Sequence, residues 1–462
     1  MSLATDFSHR MTRHHADLLV RGGTVHTPNG AERIDIACLD GRIVALGDLS
    51  PQWQAGETID ATGLDVLPGV VDSQVHFREP GMTHKETLDA GTRGAVLGGV
   101  TTVFEMPNTQ PLTLSAADLQ DKLDRADGRA WCDYAFYMGG SAVNADQLDS
   151  LENRPGCAGI KVFMGSSFGD LLADEDATLR RILSHGRRRV AIHAEDEARL
   201  RDRYERVRAS GDVREHPVWR DAESALNATC RIVRLAEETG RRLHILHVST
   251  GQEMAFLAQH KNRVSVEVTP HHLSLSAPDC YERLGSLAQM NPPVRDKTHQ
   301  HALWEAVRTG VVDVIGSDHA PHTLEEKAKP YPTSPSGMTG VQTLLPIMLD
   351  HVNAGRLSLS RLVDLTSAGP ARLFGMERKG RIAVGYDADL SIVDMEARRT
   401  ISNDWIASVC GWTPYDGVRV RGWPMHTIIR GRTVVRDGGL CKATPCGEPV
   451  RFLEADTQTY RA

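Results

Sequence analysis

The chain has 462 residues, of which 24% are charged and 40% hydrophobic, and its formal net charge is −7. This length suits one large domain with a smaller one, and the composition is that of a globular protein. The acidic balance argues against nucleic acid or an anionic membrane as a partner, and no apolar run is long enough to span a bilayer. The start of the chain lacks the apolar core of a signal peptide and the eight cysteines form no CxxC pair. We therefore expect a cytoplasmic protein with reduced thiols.

Short β-type runs lie at both ends of the chain. Near the start, four such runs are broken by turn dipeptides, among them Asn29-Gly30 and Asp40-Gly41, which are typical of hairpins. A second group of the same kind lies between Ala388 and Val435. A small sheet cannot bury both of its faces alone. We therefore predict that residues 1–66 and 376–462 pair into one β-sandwich.

Between the two ends, apolar runs alternate with helical segments. Eight such runs can be parallel strands: Val70–Phe77, Val100–Met106, Asp133–Met138, Gly159–Met164, Arg189–Ala194, Leu243–Val248, Val264–Thr269 and Val311–Ser317. Eight strand–helix alternations predict a (β/α)8 TIM-type barrel over residues 67–375. A doubly wound open sheet is the alternative, but no GxGxxG motif follows the first strand.

The first of these runs ends in polar residues. Within the stretch Gly69 to Gly81, Gln74, His76 and Arg78 share one face, because side chains on a strand repeat every second residue. A His and an Arg together at the end of a buried strand suit the binding of a metal and an anion. The alternative is a polar strand end that enters a loop.

Polar residues recur at the C-terminal ends of the later runs, where a barrel carries its chemistry. A lone histidine there is usually a hydrogen-bonded structural residue, but recurrence at so many strand ends favours a shared site. His193, His247 and Asp318 offer the nitrogen and oxygen ligands that Zn²⁺ prefers. The full set is Asn108, Lys161, His193, His247, His271, His272, Asp318, His319 and His322.

Lys161 is a charged residue inside an apolar strand. Burying an unpaired ammonium is costly, so this lysine must find a partner or change its chemical state. One such change is carbamylation by carbon dioxide, which creates a carboxylate able to bridge two metals. The alternative is a salt bridge to Glu195 or Asp318.

Seven motifs resemble those of the cyclic amidohydrolases of the amidohydrolase superfamily, and among them the dihydroorotases. The resemblance extends from about Asp17 to Leu453. The motifs are Val75–Gly81, Glu105–Thr109, Gly159–Lys161, Ile192–Glu195, Leu246–Thr250, Met290–Arg295 and Gly316–His322.

This resemblance implies a metal-dependent hydrolase of cyclic amides with one or two Zn²⁺ ions. Carboxylated Lys161 would bridge the two metals. His193 and His247 would hold one zinc, and His76 and Asp318 the other. Asp318 would also be the catalytic acid and base, while the metals would activate the attacking water and the scissile carbonyl.

The resemblance also implies the substrate, L-dihydroorotate or N-carbamoyl-L-aspartate of pyrimidine biosynthesis. Dihydroorotate carries a ring carboxylate, which an arginine fork suits. The family's carboxylate-binding positions are Arg78, Asn108 and His322 here, and its ring-binding positions are Asn291, Ser336 and Gly337. Hydantoinases and allantoinases resemble the chain in the lysine and histidine ligands, but generally lack the Arg-Glu-Pro-Gly and Pro-Asn-Thr motifs. A hydrolase of another cyclic amide is the alternative.

The chain departs from the family at Gln74, where the pattern usually has His-x-His. An amide oxygen is a weaker zinc ligand than imidazole, so we expect one metal to be weakly held. Alternatively, Gln74 supports the site through a hydrogen bond to His76 or to water. The departure also leaves open an inactive chain kept as an assembly partner, for instance of an aspartate transcarbamoylase. For an active enzyme, the resemblance implies a homodimer or homotetramer.

Overall fold

A computed structural model describes residues 14–49, 53–165 and 169–453. The N-terminal strands β1 to β7 are His14–Arg21, Thr24–Thr27, Gly30–Arg33, Asp35–Leu39, Arg42–Gly47, Trp53–Asp60 and Asp65–Pro68. Four of them form a sheet in the order β5-β4-β1-β6. Asp40 and Gly41 connect β4 to β5 with φ angles of 50° and 76°, as a tight hairpin turn requires.

Eight parallel strands follow and form the barrel. Strands β8 to β15 are Val70–Val75, Val100–Glu105, Asp133–Gly139, Cys157–Phe163, Val190–His193, Leu243–Ile245, Val264–Val268 and Val314–Ile315. Each is hydrogen-bonded to the next along the chain. Just beyond β15, His319 bridges to Val75 of β8, and its carbonyl accepts the His76 N–H at 2.7 Å. The predicted (β/α)8 barrel is therefore confirmed.

Both ends of the chain contribute to a second sheet. Strands β16 to β19 are Leu390–Thr400, Arg419–Ile429, Arg432–Arg436 and Gly439–Leu440. They join three N-terminal strands in the order β19-β18-β17-β16-β7-β2-β3. Apolar side chains of this sheet, such as Val25 and Leu390, pack in one core with Leu18 and Ile36 of the four-stranded sheet. The chain ends thus form the layered β structure that the sequence predicts.

Fifteen α-helices lie in the described ranges. The helix that follows β8 begins at Leu88, because the Thr87 side chain caps it by accepting the Ala90 N–H. None of the helices in these ranges has the length and apolar character needed to cross a bilayer. The helices α1 to α15 are Leu88–Leu97, Ala116–Ala126, Leu148–Leu151, Asp176–Ser184, Glu197–Ser210, His216–Trp219, Ala222–Thr239, Gly251–Leu257, Pro270–Ser274, Asp279–Leu284, Lys297–Thr309, Leu324–Lys327, Leu344–Asn353, Leu359–Val363 and Gly369–Phe374.

Candidate metal and substrate site

Asp318, just beyond β15, is the centre of one group of buried polar side chains. Its Oδ1 accepts a hydrogen bond from Gln74 Nε2 at 2.9 Å and lies 3.3 Å from His76 Nε2. Asp72 holds the chain at Gln74 next to the chain at Ser317, because its Oδ1 accepts the backbone N–H groups of both residues. Gln74 is therefore bonded to Asp318 rather than to His76. Its Oε1 is buried and has no hydrogen-bond partner in the part of the chain that the structure describes.

A second group lies at the ends of β12 and β13. His193 Nδ1 is 3.1 Å from His247 Nε2, and His193 Nε2 is 2.8 Å from Glu195 Oε2. Burial opposes the ionisation of Glu195, but Arg220, 2.6 Å away, outweighs it and the pKa of Glu195 falls to about 2. The ionised carboxylate needs a donor, so His193 carries its proton on Nε2. Burial lowers the pKa of both histidines, which leaves them neutral, as metal ligands must be.

Lys161 of β11 is the third element of the site. Its Nζ is buried and lies 4.2 Å from the centre of the Phe163 ring. No hydrogen-bond acceptor within the described ranges contacts it. Burial lowers the pKa of Lys161 to about 7, although Asp318 and Glu267 oppose the shift. The alternative of a salt bridge to Glu195 or Asp318 is therefore not realised, and Glu195 is instead paired with Arg220.

The donor set can be tested for its fit to metal. Across the described residues, no three His, Cys, Asp or Glu side chains form a group that could hold an ion. There are instead two pairs, His193 with His247 and His76 with Asp318. A carboxylate on the unpartnered Lys161 would supply a third ligand to each pair. These nitrogen and oxygen donors fit zinc, provided that Lys161 is carboxylated.

A cationic group forms around His322 and contains two of the predicted carboxylate-binding residues. Arg78 is buried with φ 62°, and its Nη2 lies 3.2 Å from His322 Nε2. Lys85 Nζ lies 3.2 Å from His322 Nδ1 and 3.0 Å from Glu326 Oε1. Lys85 is thus part of this group, although the sequence analysis did not single it out.

Asn108, the third predicted carboxylate-binding residue, contacts a different partner. Its Oδ1 lies 2.7 Å from His76 Nδ1. A hydrogen bond to the far nitrogen of a ligating histidine typically orients the ring and fixes its tautomer. Asn108 therefore orients His76, and its amide nitrogen is left to contact a ligand.

Two of the predicted ring-binding residues each contact a histidine. Ser336 O is 3.1 Å from His322 Nε2, and Asn291 Oδ1 is 3.1 Å from His216 Nε2. Gly337 has φ 145°, a conformation that favours glycine. A Cβ there would lie 2.2 Å from a backbone oxygen. Ser336 and His322 are thus in direct contact, so a single bound ligand can contact both.

The connection between β16 and β17 adds residues that the sequence analysis missed. It leaves the sheet and extends to the barrel mouth, where Trp412 Nε1 donates to His322 O at 2.8 Å. Tyr415 OH lies 3.0 Å from His271 Nδ1, and the two rings stack with centres 5.5 Å apart. Both aromatic side chains are buried. The C-terminal sheet therefore supports the site through residues 401–418.

The barrel and the site at its mouth define a class of enzyme, the hydrolases that act on cyclic amides. The chain belongs to the amidohydrolase family: the profile described as "Amidohydrolase family" matches residues 66–434.

Several relatives carry the names of individual enzymes of this class. A dihydroorotase of Halobacterium salinarum is 39% identical over 82% of this chain and 92% of its own. An allantoinase of Rubrobacter xylanophilus is 38% identical over 94% of this chain and 97% of its own. Among solved structures, an L-hydantoinase (dihydropyrimidinase) from Arthrobacter aurescens has a TM-score of 0.89 at 31% identity, covering 94% of this chain and 99% of that one. Similarity thus gives the family but does not choose between these substrates.

Proposed function

We propose that the protein is a dihydroorotase, which interconverts N-carbamoyl-L-aspartate and L-dihydroorotate. The buried contact between Arg78 and His322, 3.2 Å apart beside Lys85, is the observation that supports this substrate. Lys85 is paired with Glu326, whereas no carboxylate of the described residues lies within ion-pair distance of Arg78. A buried charge needs an anionic partner, and the ring carboxylate of dihydroorotate provides one. Allantoin and hydantoin are neutral rings.

The proposed roles follow from the contacts at the mouth. Zinc held by the two ligand pairs and by carboxylated Lys161 would supply a Lewis acid and an activated water. Arg78 binds the ring carboxylate and orients the ring. Asp318 Oδ1 takes the proton of the attacking water and returns it to the leaving ring nitrogen. Gln74 Nε2, 2.9 Å away, holds that oxygen in position.

Arg78→Ala tests the choice of substrate. Losing a buried charge-assisted contact is expected to raise KM for dihydroorotate about 100-fold, since such contacts are worth a few kcal/mol. Steady-state kinetics on dihydroorotate and on a neutral hydantoin measure the effect. Arg93→Ala, which removes a half-buried arginine of α1 that pairs with Asp89, is the matched control. Unaltered KM and kcat/KM in Arg78→Ala would reject the carboxylate clamp.

Gln74→His tests the metal pair. An imidazole binds zinc more strongly than an amide, so the variant should bind the second zinc about tenfold more tightly or better. Metal titration followed by mass spectrometry gives the stoichiometry and affinity for both proteins. Equal values for the two proteins would mean that residue 74 is not at a ligand position.

A neutral cyclic amide is the second candidate substrate. The R. xylanophilus allantoinase aligns with 94% of this chain, whereas the H. salinarum dihydroorotase aligns with 82%. Comparing kcat/KM for dihydroorotate, allantoin and hydantoin decides between an acidic and a neutral substrate. Higher kcat/KM for a neutral ring, unchanged in Arg78→Ala, would replace the dihydroorotase proposal.

Metal-free protein without turnover would instead favour the assembly partner, and pull-down with an aspartate transcarbamoylase would test that role. The oligomeric state, a homodimer or homotetramer, stays a prediction that gel filtration can test.

A further inference from the structure

His322 is buried with both ring nitrogens engaged. Nδ1 lies 3.2 Å from Lys85 Nζ. Nε2 lies 3.1 Å from Ser336 O and 3.2 Å from Arg78 Nη2. These three neighbours are two cations that only donate hydrogen bonds and one carbonyl that only accepts them. They therefore determine which ring nitrogen carries the proton.

Both ring nitrogens face a cationic donor, but only Nε2 also faces a carbonyl, Ser336 O, so Nδ1 is the nitrogen that accepts from Lys85. The ring proton must then lie on Nε2, where Ser336 O accepts it. Glu326 Oε2 is 3.5 Å from Nδ1, but Lys85 lies closer to that nitrogen and pairs with the same carboxylate. Burial, Arg78 and Lys85 all lower the pKa of His322, so the ring is neutral and has a single N–H.

This tautomer changes the meaning of the contact between Arg78 and His322. Both nitrogens of the 3.2 Å contact now carry hydrogen, so neither can accept from the other. The Nε2–H is shared with Ser336 O through a three-centre hydrogen bond, so a second acceptor placed beside Arg78 contacts both donors. A carboxylate oxygen has the electron pairs for this and also offsets the charge of Arg78.

We propose that Lys85 is a positioning residue: by fixing the Nε2–H tautomer of His322, it turns Arg78 and His322 into a paired donor site specific for a ring carboxylate. This inference rests on the proposed dihydroorotase function and names the residue that distinguishes acidic from neutral rings. A neutral ring offers carbonyl oxygens but no charge to offset that of Arg78, so Lys85 contributes less to its binding.

Three variants test the inference. Lys85→Met removes the donor to Nδ1 and is expected to raise KM for dihydroorotate about 10- to 100-fold, with kcat changed far less, because a charge-assisted contact is lost from binding. Lys85→Arg keeps a cationic donor and should restore most of the affinity. Lys329→Met removes an exposed lysine just after α12 and should leave KM unchanged. Wild-type KM in Lys85→Met would overturn the inference.

A spectroscopic measurement separates positioning from general damage. In protein labelled with ¹⁵N-histidine, the His322 signals, assigned by their loss in His322→Asn, should report the Nε2–H tautomer in the wild type. Lys85→Met should give a mixture of tautomers. An Nδ1–H tautomer in the wild type would overturn the inference even if Lys85→Met does not fold. The measurement needs no turnover, so it is independent of the proposed function, which fails if the wild type does not act on dihydroorotate.

Discussion

Lys161→Ala is expected to abolish hydrolysis, with kcat/KM reduced at least about 1000-fold. The change removes the side chain that we propose completes both ligand pairs, and metal assistance is worth several kcal/mol of transition-state stabilisation. Kinetics and the metal content of the purified variant give the result. We expect less metal per chain together with the loss of turnover.

Protein stability separates this functional role from a structural one. Lys161 Nζ is buried and has no hydrogen-bond partner in the described ranges, so its removal costs no hydrogen bond and relieves the burial of an unpaired amine, at the expense of the contact with the Phe163 ring. The free energy of unfolding of metal-free Lys161→Ala should therefore match or exceed that of the wild type. Lys329→Ala is the control for loss of a lysine. Substantial turnover by Lys161→Ala would remove the lysine from the proposed metal site.

The barrel and the positions of its strands follow from local sequence patterns. The alternation of apolar runs with helical segments predicted all eight strands, but it made several of them too long. The sixth was expected to end at Val248 and ends at Ile245, while the eighth was expected over Val311–Ser317 and covers Val314–Ile315. His247 and Asp318 have φ angles of 37° and 49°, which turn the chain out of the sheet. The spacing of hydrophobic residues along the sequence carries no information about such backbone turns.

These unusual φ angles coincide with the site. Seven non-glycine residues have positive φ within the described ranges, and three of them, Arg78, His247 and Asp318, line the barrel mouth. Strained backbone of this kind is concentrated at functional sites, where surrounding contacts hold it. The strand ends could therefore be predicted as the location of the chemistry, while the direction of each side chain could not.

The long-range contacts of the site were the part that sequence patterns could not give. Trp412 contacts His322 across 90 positions of the chain, and Tyr415 contacts His271 across 144. Lys85 lies between a recognised motif and a helix, where a single lysine is indistinguishable from a surface residue. Gln74 was expected beside a metal or bonded to His76, yet its amide nitrogen binds Asp318. That choice depends on Asp72, which fixes the spacing of two segments far apart in the sequence.

Asp318→Asn is expected to lower kcat about 100- to 10,000-fold with a much smaller change in KM, which is the range of general acid–base catalysis. The amide has nearly the shape of the carboxylate, and its oxygen can still accept the Gln74 Nε2–H bond, so the geometry of the site should persist. What is lost is the basic oxygen that takes a proton from water.

Asp202→Asn changes an exposed carboxylate of α5 in the same way and should leave kcat unaltered. If Asp318→Asn kept wild-type kcat, proton transfer would have to pass to another group. Glu267 is the other carboxylate to consider as the base. Burial raises its pKa to about 8, and one of its oxygens lacks a partner in the described part of the chain. It would then be protonated at neutral pH and unable to act as the base in the direction of hydrolysis. Asp318 is therefore the carboxylate on which the proposed chemistry depends.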